Sequence, residues 1–345
     1  MSTPKDSAEC LDLLSVSLTP EGQTQIRALL PRGDAYYDII VRAYFRNPFL
    51  VLTDDEIAYA SKALTPPALG GLVAAREAAT RLQTPRYSVC CMPKSGSSFV
   101  QSALRHALQV SSVSVTGFGL AGLGSQFGMN SREQEIDEFA LISRILTSPR
   151  GFVAQNHTRY STYLGLLYRR FEVTPIVTFR NVLDCIVSFD EMVLTGRAAN
   201  PTRWAWHYDT QFAVPASYPT LADEARYAIL AKSFGVWLIA FYLSWRRSEQ
   251  QDFVKPLFLR YEDHILDKER FVDELSRFAA MTDVQRERLR QYAAAPDKGA
   301  SRFNVGVKGR GVQKVPASVR EFLRDYASAF DDLSQEDLEY LLPSR

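Results

Sequence analysis

The stretch that most constrains this chain is Tyr87-Ser-Val-Cys-Cys-Met92 followed by Pro93-Lys-Ser-Gly-Ser-Ser98-Phe99. The first six residues are mostly apolar and flanked by turn formers, which predicts a short buried strand. Ser97 or Ser98 can cap a helix in which Val100, Ala103, Leu104, Ala107 and Leu108 recur on one face. A strand, a tight loop containing Gly96 and a helix together aim backbone N–H groups and the positive end of a helix dipole at one point. Lys94 adds a full charge there, and Ser95, Ser97 and Ser98 add hydroxyl donors. A phosphate or sulfate group is the natural occupant.

Further strands are predicted at 151–156, 173–179 and 256–261, with Pro175 placing the third ladder's start at or after itself. Helical patterns separate them. Alternation of this kind predicts an α/β fold, a mainly parallel central sheet flanked by helices. Ligands of such sheets bind beyond the carboxyl ends of the strands. Lys94, His157 and Arg180 each follow a predicted strand end by one or two residues, so the three are expected to share one site.

Residues 1–85 read as a helical N-terminal extension to a domain spanning 86–345, either over the acceptor site or as a structural appendage. Thr19-Pro20 starts one helix there, and Thr53-Asp-Asp-Glu56 is a capping box for another. Beyond the first strand and helix, Thr116-Gly-Phe-Gly-Leu-Ala-Gly-Leu-Gly124 reads as a loop, after which Asn130 or Ser131 caps a helix burying Ile136, Phe139, Ala140 and Ile145.

Lys94 precedes Gly96, whereas the nucleotide-binding pattern G-x-x-x-x-G-K-[ST] places lysine after glycine, so ATP and GTP are disfavoured. The order Pro93-Lys94-Ser95-Gly96-Ser97-Ser98-Phe99 instead resembles the 5′-phosphosulfate loop, P-K-[ST]-G-[ST]-[ST]-W, of sulfotransferases that use 3′-phosphoadenosine 5′-phosphosulfate (PAPS). Phe99 replaces the usual Trp and would keep a face for stacking on adenine. Arg180-Asn-Val-Leu-Asp184-Cys-Ile-Val-Ser188 is similar to that family's 3′-phosphate motif, and an arginine fork with a serine hydroxyl suits phosphate oxygens. Leu257-Phe-Leu-Arg-Tyr261-Glu-Asp263 resembles the stretch whose Tyr sits near adenine. Asn304-Val-Gly-Val-Lys308-Gly309-Arg310-Gly311 resembles the loop over the 3′-phosphate, with Val307 where Arg is expected and the second glycine one residue early.

The resemblance covers residues 86 to about 315 and implies a P-loop-like sulfotransferase architecture. It implies an enzyme moving a sulfuryl group from PAPS to a hydroxyl of a small-molecule, lipid or carbohydrate acceptor. His157 would be the general base and Lys94 the stabiliser of charge on the leaving oxygen. Lys94, Ser95, Gly96, Ser97, Ser98, Phe99, Arg180, Ser188, Tyr261, Lys308, Gly309 and Arg310 would contact PAPS. Trp204 and Trp206, in an aromatic-rich stretch that includes Tyr208, Phe212 and Tyr218, are candidates for acceptor contact. Two other readings stay open: a P-loop-like small-metabolite kinase, and a non-catalytic nucleotide-binding relative.

Composition narrows the setting. A net charge of +1 gives no global field for nucleic acid, so an anion site must be local. The four histidines are too widely spaced for a zinc site, and no carboxylate cluster calls for a metal. Cys90 and Cys91, adjacent in a strand, point to opposite faces. With Cys10 and Cys185 they read as small buried hydrophobes in a reduced, cytoplasmic protein. The start of the chain does not read as a signal peptide, and the apolar run Phe234–Leu243 reads as a core helix rather than a transmembrane segment.

Overall fold

A computed structural model describes residues 7–47, 49–64, 67–116, 135–199, 214–296 and 308–344. The chain divides into two compact units, one of Met1–Gln83 with Arg170–Glu172, the other of Thr84–Arg169 with Val173–Arg345.

The first unit is helical: Ser7–Val16, Pro20–Arg27, Asp34–Arg46, Asp54–Ala63 and Pro67–Arg81. Thr53 and Glu56 form the reciprocal capping box their spacing predicts. Glu56 does more than cap. It is almost fully buried and takes Arg27 Nε at 2.8 Å, so one carboxylate joins two helices. Cys10, Leu14, Ile40, Ala43, Leu50 and Val73 fill the core between them. Within the same unit Arg170 pairs with the buried Glu77 and donates to Leu50 O at 2.9 Å.

The second unit is an α/β fold around five parallel strands: β1 Arg86–Cys91, β2 Ser111–Val113, β3 Phe152–Asn156, β4 Thr174–Phe179 and β5 Leu257–Arg260. Their order is β2-β3-β1-β4-β5. The short edge strand β2 escapes a sequence reading because its three residues, two of them serines, carry no apolar alternation. Pro175 lies inside the β1–β4 ladder, opposite Ser88, so β4 begins one residue earlier than expected. The proline is tolerated because pairing with β5 starts only at Ile176.

Strand β1 is buried along its whole length and sorts its side chains by period two. Tyr87, Val89 and Cys91 meet a helical layer through Phe99, Val100, Leu104, Phe271 and Leu289. On the other face Ser88 shares a hydrogen bond of 2.7 Å with Tyr168 OH, and Cys90 lies 3.6 Å from the same hydroxyl. All four cysteines are buried as free thiols, and burial pushes Cys90 and Cys91 up to about 12.

One long helix, Asp223–Gln251, passes through a π turn at Ala231–Gly235. By length and composition it is the one helix among the described residues that could cross a membrane, with 56% of its most apolar stretch buried. Its packing is that of a core helix. Trp245 is fully enclosed and donates to Thr158 O at 3.1 Å, while Phe241 and Tyr242 meet Phe179 of β4. Among the described residues a helix starts at Glu138, capped by Asp137, which accepts from Ala140 N, and Asn130 and Ser131 lie outside the described residues. Ala140 and Ile145 are buried on it as expected, Ile136 is buried just ahead of its cap, and Phe139 is 54% exposed.

Candidate functional site

In a parallel sheet the crevice opens where neighbouring strands send their connections in opposite directions. Here that point lies between β1, whose connection leads towards β2, and β4, whose connection leads towards β5. The loop after β1 is Met92–Gly96 and the loop after β4 is Arg180-Asn181.

Gly96 itself caps the Ser97–Leu108 helix, with φ 79° and ψ 14° and no side-chain cap. This corrects the expectation that Ser97 or Ser98 serves as cap; both stand inside the first turn. The left-handed glycine leaves the first N–H groups without a side-chain acceptor, the geometry that suits an oxyanion. Lys94 is also left-handed, at φ 71°, an uncommon conformation for a residue with a side chain. Ser95 is tied down by a 2.6 Å bond to Thr178 Oγ1 of β4, and Ser97 Oγ accepts from Gln155 Nε2 of β3 at 2.9 Å. Three strands therefore hold this loop. Ser98 stays half-buried beside them.

Arg180 donates to Lys94 O at 3.3 Å and to Asp184 Oδ2 at 3.2 Å, and its guanidinium sits 4.4 Å from the centre of the Tyr261 ring. The same ring closes on Gly96, where an added Cβ would stand 3.1 Å from it. Tyr261 is thus a wall holding Arg180 and the loop together, with little surface left for a base. Lys94 Nζ lies 3.5 Å from Met192 Sδ. Met192 is one turn beyond the buried Ser188 on the Val182–Ala199 helix, so lysine and serine address the same helix face.

Phe99 departs from expectation. It has no exposed surface and is packed against Phe271, with Lys268 Nζ 4.0 Å above its ring. Position 99 is the third residue of a helix whose inner face it shares with Val100 and Ala103, so its ring enters the core and cannot stack on adenine. Replacing Phe99 by Trp is expected to overfill this space and cost about 1–3 kcal/mol. Urea unfolding should register that loss, and the variant's nucleotide affinity should stay at the wild-type value.

His157 follows β3 directly. Its Nδ1 lies 2.8 Å from Cys91 O, and because a carbonyl only accepts, Nδ1 carries the proton. Nε2 is then the lone-pair nitrogen. The ring keeps part of its surface, but loss of surrounding water lowers its pKa, opposed in part by the bond to Cys91 O. Neutral pH leaves it a neutral base. One residue on, Thr158 Oγ1 is buried without a hydrogen-bond partner and lines a cavity of about 420 Å³ with Ile136, Tyr160, Tyr163 and Leu164.

Asp184 is the organising residue a motif reading passes over. Besides Arg180 it accepts from Gly309 N at 3.0 Å and Gly311 N at 2.6 Å. This docks the Lys308–Gly311 segment against the Val182–Ala199 helix. Gly311 must be glycine, because a Cβ would lie 2.3 Å from the Leu183 carbonyl carbon. Asn181 caps that helix through Asp184 N at 2.8 Å and donates to Glu262 at 2.9 Å, so the turn after β5 joins the cluster. Burial raises the pKa of Glu262, whose other oxygen takes Tyr340 OH at 3.0 Å. The signal was present in Asn181-x-x-Asp184, a capping spacing.

Arg310 and Lys314 both pair with Glu191, so Arg310 is turned to that carboxylate rather than to a phosphate. Lys308 is exposed beside Gly309. Tyr218 is buried with its OH on Asp190 at 2.6 Å, a packing role. Trp204, Trp206, Tyr208, Phe212, Val307 and the glycine-rich stretch from residue 117 lie outside the described residues.

These features define a parallel α/β protein with an anion-directed strand-loop-helix at its switch point and a neutral histidine on the adjoining strand. No model of a known family matches the chain, and no curated protein matches it.

Proposed function

We propose that the protein is a PAPS-dependent sulfotransferase acting on a hydroxyl acceptor. The observation that carries this reading is the Nδ1–H bond of His157 to Cys91 O, which presents a lone-pair nitrogen at the sheet edge that also bears the Gly96-capped helix start. A proton acceptor and an oxyanion cradle on neighbouring strands are what group transfer to an alcohol requires.

PAPS supplies the activated sulfuryl group. His157 Nε2 takes the acceptor's proton. Lys94 and the N–H groups of Gly96, Ser97 and Ser98 hold the 5′-phosphate and the oxygen that bears the departing charge, as preorganised donors do. Arg180, Ser188 and Lys308 hold the 3′-phosphate, with Asp184 fixing where Arg180 points. The cavity beside Thr158 is the place for the acceptor, and its mixed aromatic and hydroxyl lining suits a ring bearing hydroxyl groups. With four free thiols, we assign the protein to the reducing cytoplasm.

Calorimetry without magnesium tests the cofactor assignment. Adenosine 3′,5′-bisphosphate is expected to bind at least about tenfold tighter than ADP, about 1.4 kcal/mol. Ser188→Ala should narrow that preference without unfolding the chain. Equal or tighter binding of ADP would sink the proposal and favour the small-metabolite kinase.

A further inference from the structure

The helices Ser97–Leu108 and Asp283–Ala294 meet along a seam of Phe99, Val100, Leu289 and Ala293. At the far end of the first helix from the anion loop, a cavity of about 500 Å³ opens beside that seam. Arg105, His106, Gln109, Val110, Arg288 and Gln291 line it. No carboxylate is among them.

Neither the Arg105 nor the Arg288 guanidinium has a hydrogen bond or ion pair among the described residues. Their neighbours differ: Arg286 pairs with Asp273, and Arg290 with Glu287 at 3.0 Å. Glu287 is further held by Gln291 Nε2 at 3.1 Å, which leaves it engaged away from Arg288. A helix dipole accounts for a cation at Arg105, in the last turn of its helix. It does not account for Arg288, which is half-buried in the middle of its helix beside the fully buried Leu289. The Arg288 guanidinium keeps contact with solvent while the residue is half-covered, so the cavity presents two guanidinium groups with no carboxylate beside them, which an anion can pair.

We infer that this cavity is a second anion site, one that takes the phosphate or sulfate ester group of a small molecule. Arg105 and Arg288 contribute forked donors from two helices, the arrangement that matches a tetrahedral oxyanion, and His106 and Gln109 add single donors. The assignment stands apart from the sulfotransferase reading, since none of these residues belongs to the switch-point site.

Calorimetric titration of the full chain with glucose 6-phosphate, inorganic phosphate and glucose tests it. Glucose 6-phosphate should bind wild type, glucose should not, and inorganic phosphate should bind more weakly than the ester. In the Arg105→Gln/Arg288→Gln double variant the affinity for glucose 6-phosphate should fall at least tenfold, while in Lys94→Ala this binding event should persist. Arg288→Lys, which keeps the charge and loses the fork, should give an intermediate loss and guards against misfolding of the double variant. Undiminished binding in the double variant, or no binding by wild type at millimolar ester, overturns the site. Inorganic phosphate binding as tightly as the ester overturns the assignment to an ester.

Discussion

Sulfuryl transfer from labelled PAPS to an accepted alcohol is expected to fall about 10²–10⁴-fold in His157→Ala, the range for losing a positioned general base. Binding of adenosine 3′,5′-bisphosphate should stay within a few-fold of wild type, because the histidine is held by Cys91 O and not by the phosphate loop. Retained turnover would remove His157 from the chemistry, whereas bisphosphate binding without any turnover by wild type would leave a nucleotide-binding protein. The pH profile carries the same information. Desolvation lowers the His157 pKa, so the base remains competent below the ordinary histidine value near 6.5. The acid limb of kcat/KM should therefore lie below about 6.5. Stability runs with the same sign. As pH falls through about 6.5 the unfolded chain takes up the proton first, so this histidine's contribution is present above that pH and is lost below it.

Asp184→Ala is expected to cost about 3–5 kcal/mol, the penalty for breaking a buried pair and stranding its partner. Asp184 is 1% exposed and serves Arg180, Gly309 N and Gly311 N together. Its removal leaves a buried guanidinium without its carboxylate and two backbone donors without their acceptor. Urea unfolding should show the loss without ligand, and bisphosphate binding should weaken because Arg180 and the Lys308–Gly311 segment lose their common anchor. A variant as stable as wild type would mean that the segment is held by other contacts. Gly311, pressed against the Leu183 backbone, and the pairing of Arg310 and Lys314 with Glu191 are placed to do so.

Local features were legible because their causes are local. The capping box at Thr53, the burial of β1 and the opposite directions of Cys90 and Cys91 depend on residues a few positions apart. The convergence of Lys94, His157 and Arg180 was legible for a different reason. A parallel sheet places every strand's carboxyl end on one edge, so a charged residue just past a strand is carried to that edge whatever the loop does. Phe99 was misread because a motif records residue types and not which helix face they occupy. Ser97 and Ser98 were misread as caps because the preference of serine for that position was weighed above a glycine able to turn left-handed.

The sequence by itself determined the strand-helix alternation, the strand-loop-helix at 86–108 and the edge on which its charged residues would gather. Periodicity and steric preference over short spans suffice for those. Tertiary structure alone decided the strand order that puts β1 beside β4, and with it the contact of Arg180 with the Lys94 carbonyl. It decided that Asp184 would accept from glycines more than a hundred residues away, and that Arg170–Glu172 would group with the first eighty-three residues. It also set the tautomer of His157, through a carbonyl sixty-six residues earlier in the chain. Each of these is a pairing across long sequence separation. Such pairings are fixed by how two buried surfaces fit and which polar groups they must satisfy, and neither is written in any one stretch of the chain.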